Sequence, residues 1–315
     1  MPKVTIIILN WNGWQDTIEC LKSLNKVNYD DFEVIVIDNG STDDSAVKLK
    51  EFINSFNFNF RISNFLPTGD LPQGDNLQSN KGFAGGVNAV IHNIKHTAHD
   101  TDYFLLLNND TIVASDFLKK MVSVAESDEK IGIAGPMIYF YDKLDYINSA
   151  GSKINWLMNR GEYIGYNEKD NGQFGNNHYE VDYISGACLL IKKEIIDKIG
   201  LMPEEYFLYY EDTDWNFQAK KVDYKSVLIP TAKIWHKESA STKKIGAKYV
   251  YYHVRNGILF NKRCAPFYKK ILIHPYNLYV FAKQLIKLCI PSKKEWARAA
   301  LAGMCDYYVG NFGKK

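Results

Sequence analysis

The segment Tyr103–Thr111, which reads YFLLLNNDT, places the narrowest limits on how this chain can fold. Its unbroken apolar run is typical of a strand buried on both faces of a parallel sheet. Asn108, Asn109 and Asp110 follow this run directly, at the strand end where open α/β sheets bind ligands. Asp110 is therefore a candidate for holding a divalent metal on a phosphate group. A simple Asn/Asp turn would explain the same residues.

Apolar segments of strand length alternate with helical patterns through the first third of the chain. This alternation indicates βαβ units and a mostly parallel, doubly wound α/β sheet. The strands are predicted at residues 4–9, 33–37, 60–65 and 103–107. A surface loop is predicted at 67–79, two short strands at 226–229 and 232–236, and mostly helix from 247 to the end.

Composition excludes several classes of protein. The net charge of +2 over 315 residues gives no reason to expect nucleic-acid binding. Five scattered cysteines without a C-x-x-C pair indicate a reducing compartment without structural zinc. The first apolar run is too short for a signal peptide, and no run is long enough to span a bilayer. We therefore expect a cytoplasmic protein.

Polar side chains follow the first two predicted strands as well. Asn10 and Asn12 come after the first strand, and Asp38 and Ser41 after the second. These positions lie along one edge of a doubly wound sheet. Asp38 could accept a hydrogen bond from a nucleotide base or a ribose hydroxyl. It could equally cap the helix that follows it.

A glycine-rich segment, NKGFAGGVN over Asn80–Asn88, precedes a predicted helix. Its glycines would let the backbone approach a ligand closely, and Lys81 could offset phosphate charge. The spacing fits neither a P-loop nor the dinucleotide fingerprint, so a flexible loop is the default explanation.

Three carboxylates, Glu211, Asp212 and Asp214, open a predicted helix. Their mutual repulsion should raise at least one pKa, which suits a general base. An acidic first helical turn that complements the helix dipole is the simpler explanation. His236 closes a later strand and would complete a metal site if it meets Asp110 in space.

Taken in order, these motifs resemble the family 2 glycosyltransferases of the GT-A fold, and most closely their rhamnosyltransferase-like branch. The resemblance covers about residues 3 to 240. It is carried by IIILNWNG (6–13), VIDNGSTD (36–43), NKGFAGGVN (80–88), LLNND (106–110), GACLL (186–190), YEDTD (210–214) and Trp235–His236.

The resemblance implies a role for each matched residue. Asp110 and His236 would bind the metal, Mg²⁺ or Mn²⁺, and Asp212 would deprotonate the acceptor, with Glu211 as the alternative base. Asp214 would orient the acceptor or the helix start. The residues expected to line the nucleotide-sugar pocket are Asn10, Asn12, Asp38, Ser41, Lys81, Gly82, Asn88, Asn108 and Asn109.

The sequence departs from the family's D-x-D motif because Asn108 replaces the first carboxylate. An amide can meet a ribose hydroxyl or a metal-bound water but brings no charge. We therefore expect modest metal affinity, with the donor diphosphate supplying much of the ligation.

The implied activity is an inverting, metal-dependent transfer from a dTDP- or UDP-sugar, with dTDP-rhamnose as one candidate donor. The acceptor would be a cell-surface glycan or a lipid-linked sugar. A non-catalytic nucleotide-sugar or glycan-binding protein on the same fold is the main alternative. A sugar-nucleotide pyrophosphorylase would need a basic, Gly-rich loop after the first strand, which Asn10–Gly13 does not provide.

We expect a catalytic domain over 1–240, with a nucleotide-sugar half (1–112) and an acceptor half (113–240), and a helical extension over 241–315. Lysines interrupt the apolar residues of the extension. Such helices can lie on an anionic membrane surface, here the inner face of the cytoplasmic membrane, or simply pack on the catalytic domain.

Overall fold

A ten-stranded sheet forms the centre of the computed structural model, which describes residues 1–65, 80–96, 101–158, 160–237 and 246–315. Its strand order is β10-β12-β6-β11-β4-β1-β2-β3, with β5 beside β12 and β7 beside β6. The strands are β1 (Val4–Asn10), β2 (Phe32–Asp38), β3 (Arg61–Phe65), β4 (Tyr103–Asn108), β5 (Thr111–Val113), β6 (Ile131–Phe140), β7 (Ile147–Ser149), β10 (Tyr179–Val181), β11 (Cys188–Lys192) and β12 (Lys225–His236). A separate hairpin pairs β8 (Ser152–Asn155) with β9 (Arg160–Tyr163).

Helices cover both faces of this sheet, because successive strand residues point to opposite sides. Ile6 and Ile8 pack under one layer of helices, whereas Ile7 packs under the other. The first layer holds α1 (Trp14–Leu24), α2 (Ser45–Ser55) and α4 (Phe117–Ala125). The second holds α3 (Gly82–His96), α5 (Lys193–Ile199) and α6 (Glu211–Lys221). Burial on both faces explains why β1, β2 and β4 are continuous apolar runs.

The register of the parallel strands places the predicted polar residues side by side at the strand ends. In the pairing of β1 with β2, Asn10 lies opposite Asp38. In the pairing of β1 with β4, Leu9 lies opposite Asn108. The exits of these three strands therefore meet at one edge of the sheet, as the sequence predicted.

The sheet is less uniformly parallel than expected. Strands β3, β2, β1 and β4 are parallel, but β11 runs antiparallel between β4 and β6. The prediction of two short strands at 226–229 and 232–236 was also wrong. They belong to one strand, β12, which pairs with β6 in parallel. The register of this pairing shifts between Ile229 and Lys233. The predicted loop at 67–79 lies outside the described residues, as does the expected domain boundary near 240.

The C-terminal extension consists of α7 (Ala247–Cys264), α8 (Phe267–Leu288) and α9 (Lys294–Val309). It shares a hydrophobic cluster with the preceding part of the chain, in which Tyr206, Tyr210 and Phe217 pack with Ile258 and Phe260. The ring of Trp156, from the tip of the β8–β9 hairpin, stacks on Phe260 at 5.5 Å. The extension is therefore packed onto the preceding part of the chain.

Gly82, at the start of α3, is held against the segment that precedes α6. Its φ of 76° lies in the left-handed region, and a Cβ there would sit 2.0 Å from the carbonyl oxygen of Phe207. The same oxygen accepts a hydrogen bond from the backbone of Phe83 at 3.0 Å. Only glycine allows this approach, which joins the glycine-rich segment to the acidic helix.

We predict that Gly82→Ala lowers the free energy of unfolding by clearly more than Gly172→Ala. Gly172 has a similar φ of 79° but open space where a Cβ would be. The control therefore measures backbone strain alone, about 1–2 kcal/mol, and Gly82→Ala adds the steric clash. Urea unfolding of both variants tests this prediction. Equal losses would show that the contact with Phe207 does not constrain position 82.

Candidate active site

Asp38, at the end of β2, is held in a network of buried hydrogen bonds. Its Oδ1 accepts bonds from the Asn10 amide at 2.8 Å and from the Ser41 hydroxyl at 2.5 Å. Its Oδ2 accepts one bond, from the Ser41 backbone at 3.1 Å. Asp38 does not cap α2, which begins only at Ser45. Because Oδ2 has a single partner among the described residues, it can accept a second donor from a ligand.

Asn12 connects the loop after β1 to the loop after β2 by hydrogen bonds. Its side-chain oxygen accepts hydrogen bonds from the backbones of Thr42 at 2.8 Å and Asp43 at 3.3 Å. Its backbone N–H donates to the Ser41 hydroxyl at 2.9 Å. Asn12 adopts a φ of 53°, a left-handed conformation that asparagine tolerates better than most residues. The two loops therefore form one cross-linked rim.

The glycine-rich segment lies against the same rim through Asn39. The Asn39 amide donates to the Gly82 carbonyl at 2.9 Å, and its oxygen accepts from the Lys81 backbone at 3.2 Å. Asn88 occupies a different position. Its amide donates to the Met202 carbonyl at 2.9 Å and to Glu204 at 2.8 Å, and its oxygen accepts from the Met202 backbone. In the structure, Asn88 thus joins α3 to the segment before α6.

Asp110 and His236 meet in the structure. The Nε2 atom of His236 lies 3.0 Å from Oδ1 of Asp110, and both side chains are largely buried. They are brought together because β12 pairs with β5, with His236 opposite Thr111. The Asn108 amide lies 3.5 Å from the same His236 nitrogen.

The Asp110–His236 pair fits part of a metal coordination shell. Adjacent ligands of an octahedral ion with bonds of about 2.1 Å lie about 3 Å apart, which matches the observed separation. Within the described residues, no group of three or more His, Cys, Asp or Glu side chains could hold a metal. From the described residues, Asp110 and His236 would be two of the ligands.

Asn109 links the metal candidates to the Asp38 network. Its amide donates to the Thr17 hydroxyl at 3.0 Å, and that hydroxyl donates to the Asn10 oxygen at 2.9 Å. Asn10 in turn binds Asp38. A continuous set of hydrogen bonds thus runs along the sheet edge.

Asp212, in the first turn of α6, is connected to the same edge through the residues just before β11. Its Oδ2 accepts a bond from the Gly186 backbone at 2.7 Å, and its Oδ1 accepts from the Thr213 backbone at 2.6 Å. The next residue, Ala187, accepts a bond from the Asn108 backbone at 3.0 Å. Residues 186 and 187 therefore connect the acidic helix to the end of β4.

The acidic helix has raised pKa values, as expected, but burial rather than the predicted mutual repulsion is their main cause. Burial, with a further contribution from the Asp212 charge, raises the pKa of Glu211 to about 8. Burial also raises the pKa of Asp212, but hydrogen bonds from Gly186 and Thr213 oppose the increase. One oxygen of Glu211 is buried and has no hydrogen-bond partner among the residues that the structure describes. With a pKa of about 8, Glu211 is mostly protonated at pH 7, whereas the hydrogen bonds that Asp212 accepts stabilise its ionised form.

Asp214 is fully buried and lies in a structural network. One oxygen accepts bonds from the Tyr206 hydroxyl at 2.6 Å and from Arg263 at 2.8 Å. The other accepts from Gln218 at 2.6 Å and from the Cys264 thiol at 3.5 Å. These contacts place Asp214 at the junction of α6 with α7.

Sequence reasoning assigned no role to Asn39, Lys237, Arg255 or Asn256. Asn39 lies inside a motif that was recognised, and Lys237 directly follows His236. The Lys237 ammonium binds Asp16 at 2.7 Å and Glu19 at 2.5 Å, and its backbone donates to the Asp110 carbonyl. Arg255 and Asn256 are adjacent residues of α7, and their partners lie about 50 residues earlier in the chain.

Comparison with known proteins identifies the family. The sequence profile of Glycosyl transferase family 2 matches residues 5–200. The chain belongs to this family. The activity class expected from the motifs, a glycosyltransferase, is thereby confirmed, together with the GT-A fold.

Three relatives show how much of the chain the similarity covers. Protein y4gI of Sinorhizobium fredii is 27% identical over 76% of the chain, which spans only 25% of that relative. The N-acetylglucosaminyl-diphospho-decaprenol L-rhamnosyltransferase of Mycobacterium tuberculosis is 24% identical over 76% of the chain and 78% of its own length. The dTDP-rhamnosyl transferase RfbF of Shigella flexneri is 26% identical over 59% of the chain and 62% of its own. The expected likeness to rhamnosyltransferases is confirmed.

A solved structure of similar fold is the mannosyltransferase PcManGT of Pyrobaculum calidifontis, determined with GDP-Man and Mn²⁺. The TM-score is 0.57 at 13% identity, over 98% of this chain and 87% of the other. At this identity the likeness establishes the fold alone.

We predict that Glu211→Gln flattens the dependence of stability on pH. Between the unfolded pKa of 4.5 and the folded value of about 8, the native state holds the Glu211 proton more tightly than the unfolded state. Stability therefore falls as pH rises through this window. Relative to wild type, the variant should gain about 2 kcal/mol in unfolding free energy between pH 6 and pH 8.5.

Urea unfolding at the two pH values measures this gain. The control is Glu129→Gln, at an exposed position, which should follow the wild-type pH dependence. If Glu211→Gln also follows it, Glu211 is not a buried acid of raised pKa.

Proposed function

We propose that this protein is an inverting glycosyltransferase that moves a sugar from a nucleoside diphosphate donor to a hydroxyl group, with the help of a divalent metal. The observation that supports it best is the continuous hydrogen-bonded edge of the sheet. That edge connects Asp38, the Asn108–Asp110 segment and Asp212. One substrate pocket along it would have a nucleotide-binding carboxylate, a metal-binding pair and a candidate base.

The donor would lie along the rim formed by the loops after β1 and β2. Oδ2 of Asp38 would accept a hydrogen bond from the base or ribose, and the rim residues Asn12 and Ser41 hold it in place. Lys81 and Gly82 would line the phosphate side, where Asn39 fixes their backbone. A thymidine or uridine base suits Asp38 equally, and the names of the relatives favour dTDP-rhamnose.

Asp110 and His236 would hold the metal against the donor diphosphate, and Asn108 would contact a ribose hydroxyl or a metal-bound water. A bound Mg²⁺ or Mn²⁺ stabilises the negative charge that develops on the leaving diphosphate. The Asp110–His236 separation supports this assignment, as does the Mn²⁺ in PcManGT.

Asp212 would take the proton from the acceptor hydroxyl. The hydrogen bonds from Gly186 and Thr213 favour the ionised form of Asp212. Glu211 is buried, and one of its oxygens has no hydrogen-bond partner among the described residues, which favours its protonated form. A single negative charge would then rest on Asp212, and its raised pKa makes it a better base than an exposed aspartate. One in-line displacement would invert the anomeric centre.

The acceptor would be a lipid-linked sugar or a growing surface glycan. The Mycobacterium tuberculosis relative is named for a polyprenyl diphosphate acceptor. The segment Tyr209–Tyr210 and the β8–β9 hairpin lie beside the acidic helix and would form the acceptor side. Tyr163 and Arg160 of that hairpin are close enough to affect the pKa of Tyr210.

We predict that Asp212→Asn lowers the rate of sugar transfer at least about a hundredfold, because a positioned base contributes at least that factor. Binding of the donor should change little, since Asp212 faces the acceptor in this proposal. The measurements are transfer from dTDP-rhamnose to a synthetic polyprenyl-diphospho-N-acetylglucosamine and dTDP binding by calorimetry.

The matched control is Asp223→Asn, two residues beyond α6, where a φ of 65° tolerates asparagine. This variant should transfer sugar at the wild-type rate. Wild-type transfer by Asp212→Asn would remove Asp212 from the role of base. Failure of the wild-type protein to bind any nucleoside diphosphate would contradict the proposed function itself.

We also predict that Asp110→Asn weakens Mn²⁺-dependent binding of dTDP at least about tenfold. Replacing even a residue that only supports a metal ligand lowers metal affinity by about that factor, and Asp110 is a ligand in this proposal. Binding of dTDP without metal should be unchanged. Calorimetric titrations with Mn²⁺, and with Mn²⁺ removed by chelation, separate the two effects, and Asp223→Asn again serves as control. Equal Mn²⁺ enhancement in wild type and variant would exclude Asp110 as a ligand.

A further inference from the structure

Helix α8 presents an apolar side to solvent. Its inward side carries Ile273 and Asn277, which are buried against the rest of the protein. The opposite side, which we call the outer face, includes Phe267, Ile271, Leu272, Leu278, Tyr279 and Ile286, all exposed. Leu278 and Ile286 are 71% and 69% exposed. This is the reverse of an ordinary surface helix, whose polar side faces water.

The outer face is bordered by positive charge without any negative charge nearby in the sequence. Lys269, Lys283 and Lys287 follow the apolar residues at helical spacing along one border, and Lys270 lies on the other. Between Glu238 and Glu295 the chain has twelve Lys or Arg residues and no Asp or Glu. The whole chain has a net charge of only +2, so this region is strongly basic relative to the rest.

The apolar surface continues from α8 onto the β8–β9 hairpin. A small cleft between the two is lined by Trp156, Leu157, Lys269, Leu272, Ile273 and Tyr276. Leu157 and Met158, at the hairpin tip, are exposed beside it. The strand β9 ends at Tyr163, which is close enough to affect the pKa of Tyr210, the residue before α6. The outer face therefore adjoins the side of the molecule that we assign to the acceptor.

We propose that the outer face of α8, with the hairpin tip, inserts into the surface of an anionic phospholipid bilayer. Apolar side chains of this kind enter the boundary between headgroups and acyl chains, while lysines along the border extend to the lipid phosphates. None of the described helices is both long and apolar enough to cross a bilayer. The proposed insertion places α8 parallel to the membrane plane, as is usual for a helix with one apolar and one polar side.

A second copy of this chain fits the outer face less well than a membrane does. A symmetric dimer through this face would bring two lysine borders of the same sign together, which is unfavourable without intervening acids. Anionic lipid supplies the complementary charge, at about 1 kcal/mol for each lysine near the surface. The lysine borders therefore favour anionic lipid over a second copy of the chain as the partner of the outer face.

The test is co-sedimentation of the full chain with vesicles of phosphatidylcholine, with and without phosphatidylglycerol. We expect binding to the anionic vesicles that weakens with added salt. The double variant Leu278→Glu/Ile286→Glu should lose at least about tenfold in vesicle affinity, because it removes two inserting side chains. The matched control is Val47→Glu/Leu144→Glu, two residues that are 59% and 61% exposed elsewhere on the surface. It should bind as wild type does.

Two further measurements keep the result interpretable. Thermal unfolding and dTDP binding should be the same in the outer-face variant as in wild type, which shows that the fold and the donor site are intact. The proposal fails if wild type does not bind anionic vesicles, or if both double variants lose binding equally. It also fails if light scattering shows a wild-type dimer that becomes a monomer only in the outer-face variant. Vesicle binding does not depend on the proposed transferase chemistry.

Discussion

Two adjacent side chains on α7 hold the backbone from which the acidic helix begins. The Asn256 amide lies 2.8–3.0 Å from the carbonyl oxygens of Tyr206, Leu208 and Tyr209. Arg255 is almost fully buried, donates to the carbonyls of Glu205 and Tyr206, and orients Asn256 through its Nε atom at 2.9 Å. Three residues of the held segment, Phe207, Tyr209 and Tyr210, have positive φ, each at a cost of about 1–3 kcal/mol. Such strain persists only where the surroundings fix the backbone, and here α7 fixes it.

The same segment is held from the donor side. The Phe207 carbonyl touches the start of α3 at Gly82, and Asn88 of α3 binds Met202 and Glu204. Asp212 is thus positioned by three parts of the chain: the glycine-rich segment, β11 through Gly186, and the extension through Arg255 and Asn256. A base must lie within hydrogen-bond distance of its substrate, so this convergence is the physical basis for assigning chemistry to Asp212 rather than to the buried Asp214.

The sequence predicted what depends on local pattern and on order along the chain. The apolar runs of β1, β2 and β4 predicted the bounds of these strands to within a residue or two. The strand ends placed Asp38 and the Asn108–Asp110 segment at the same edge of the sheet. Contacts between distant segments were not predictable, because nothing near Asn256 indicates that its partners are the carbonyls of 206–209. The burial of Asp214 depends on Arg263 and Tyr206 in the same way. The continuity of β12 was missed because Pro230 suggests a break, whereas the sheet accommodates it with a register shift.

The extension has two different surfaces, one facing the rest of the protein and one facing solvent, and they differ in composition. Its inward surfaces are rich in aromatic and hydrogen-bonding residues, since they must hold a strained, polar backbone segment away from water. Its outer face is apolar and bordered by lysine. Because α7 fixes the segment before Asp212 and α8 packs beside the hairpin tip, the position of the candidate base relative to the outer face is set by rigid contacts. An acceptor that arrives from the membrane surface would meet the candidate base at a fixed distance from the bilayer. A nucleotide donor would enter at the sheet edge, which the N-terminal half builds together with His236 of β12.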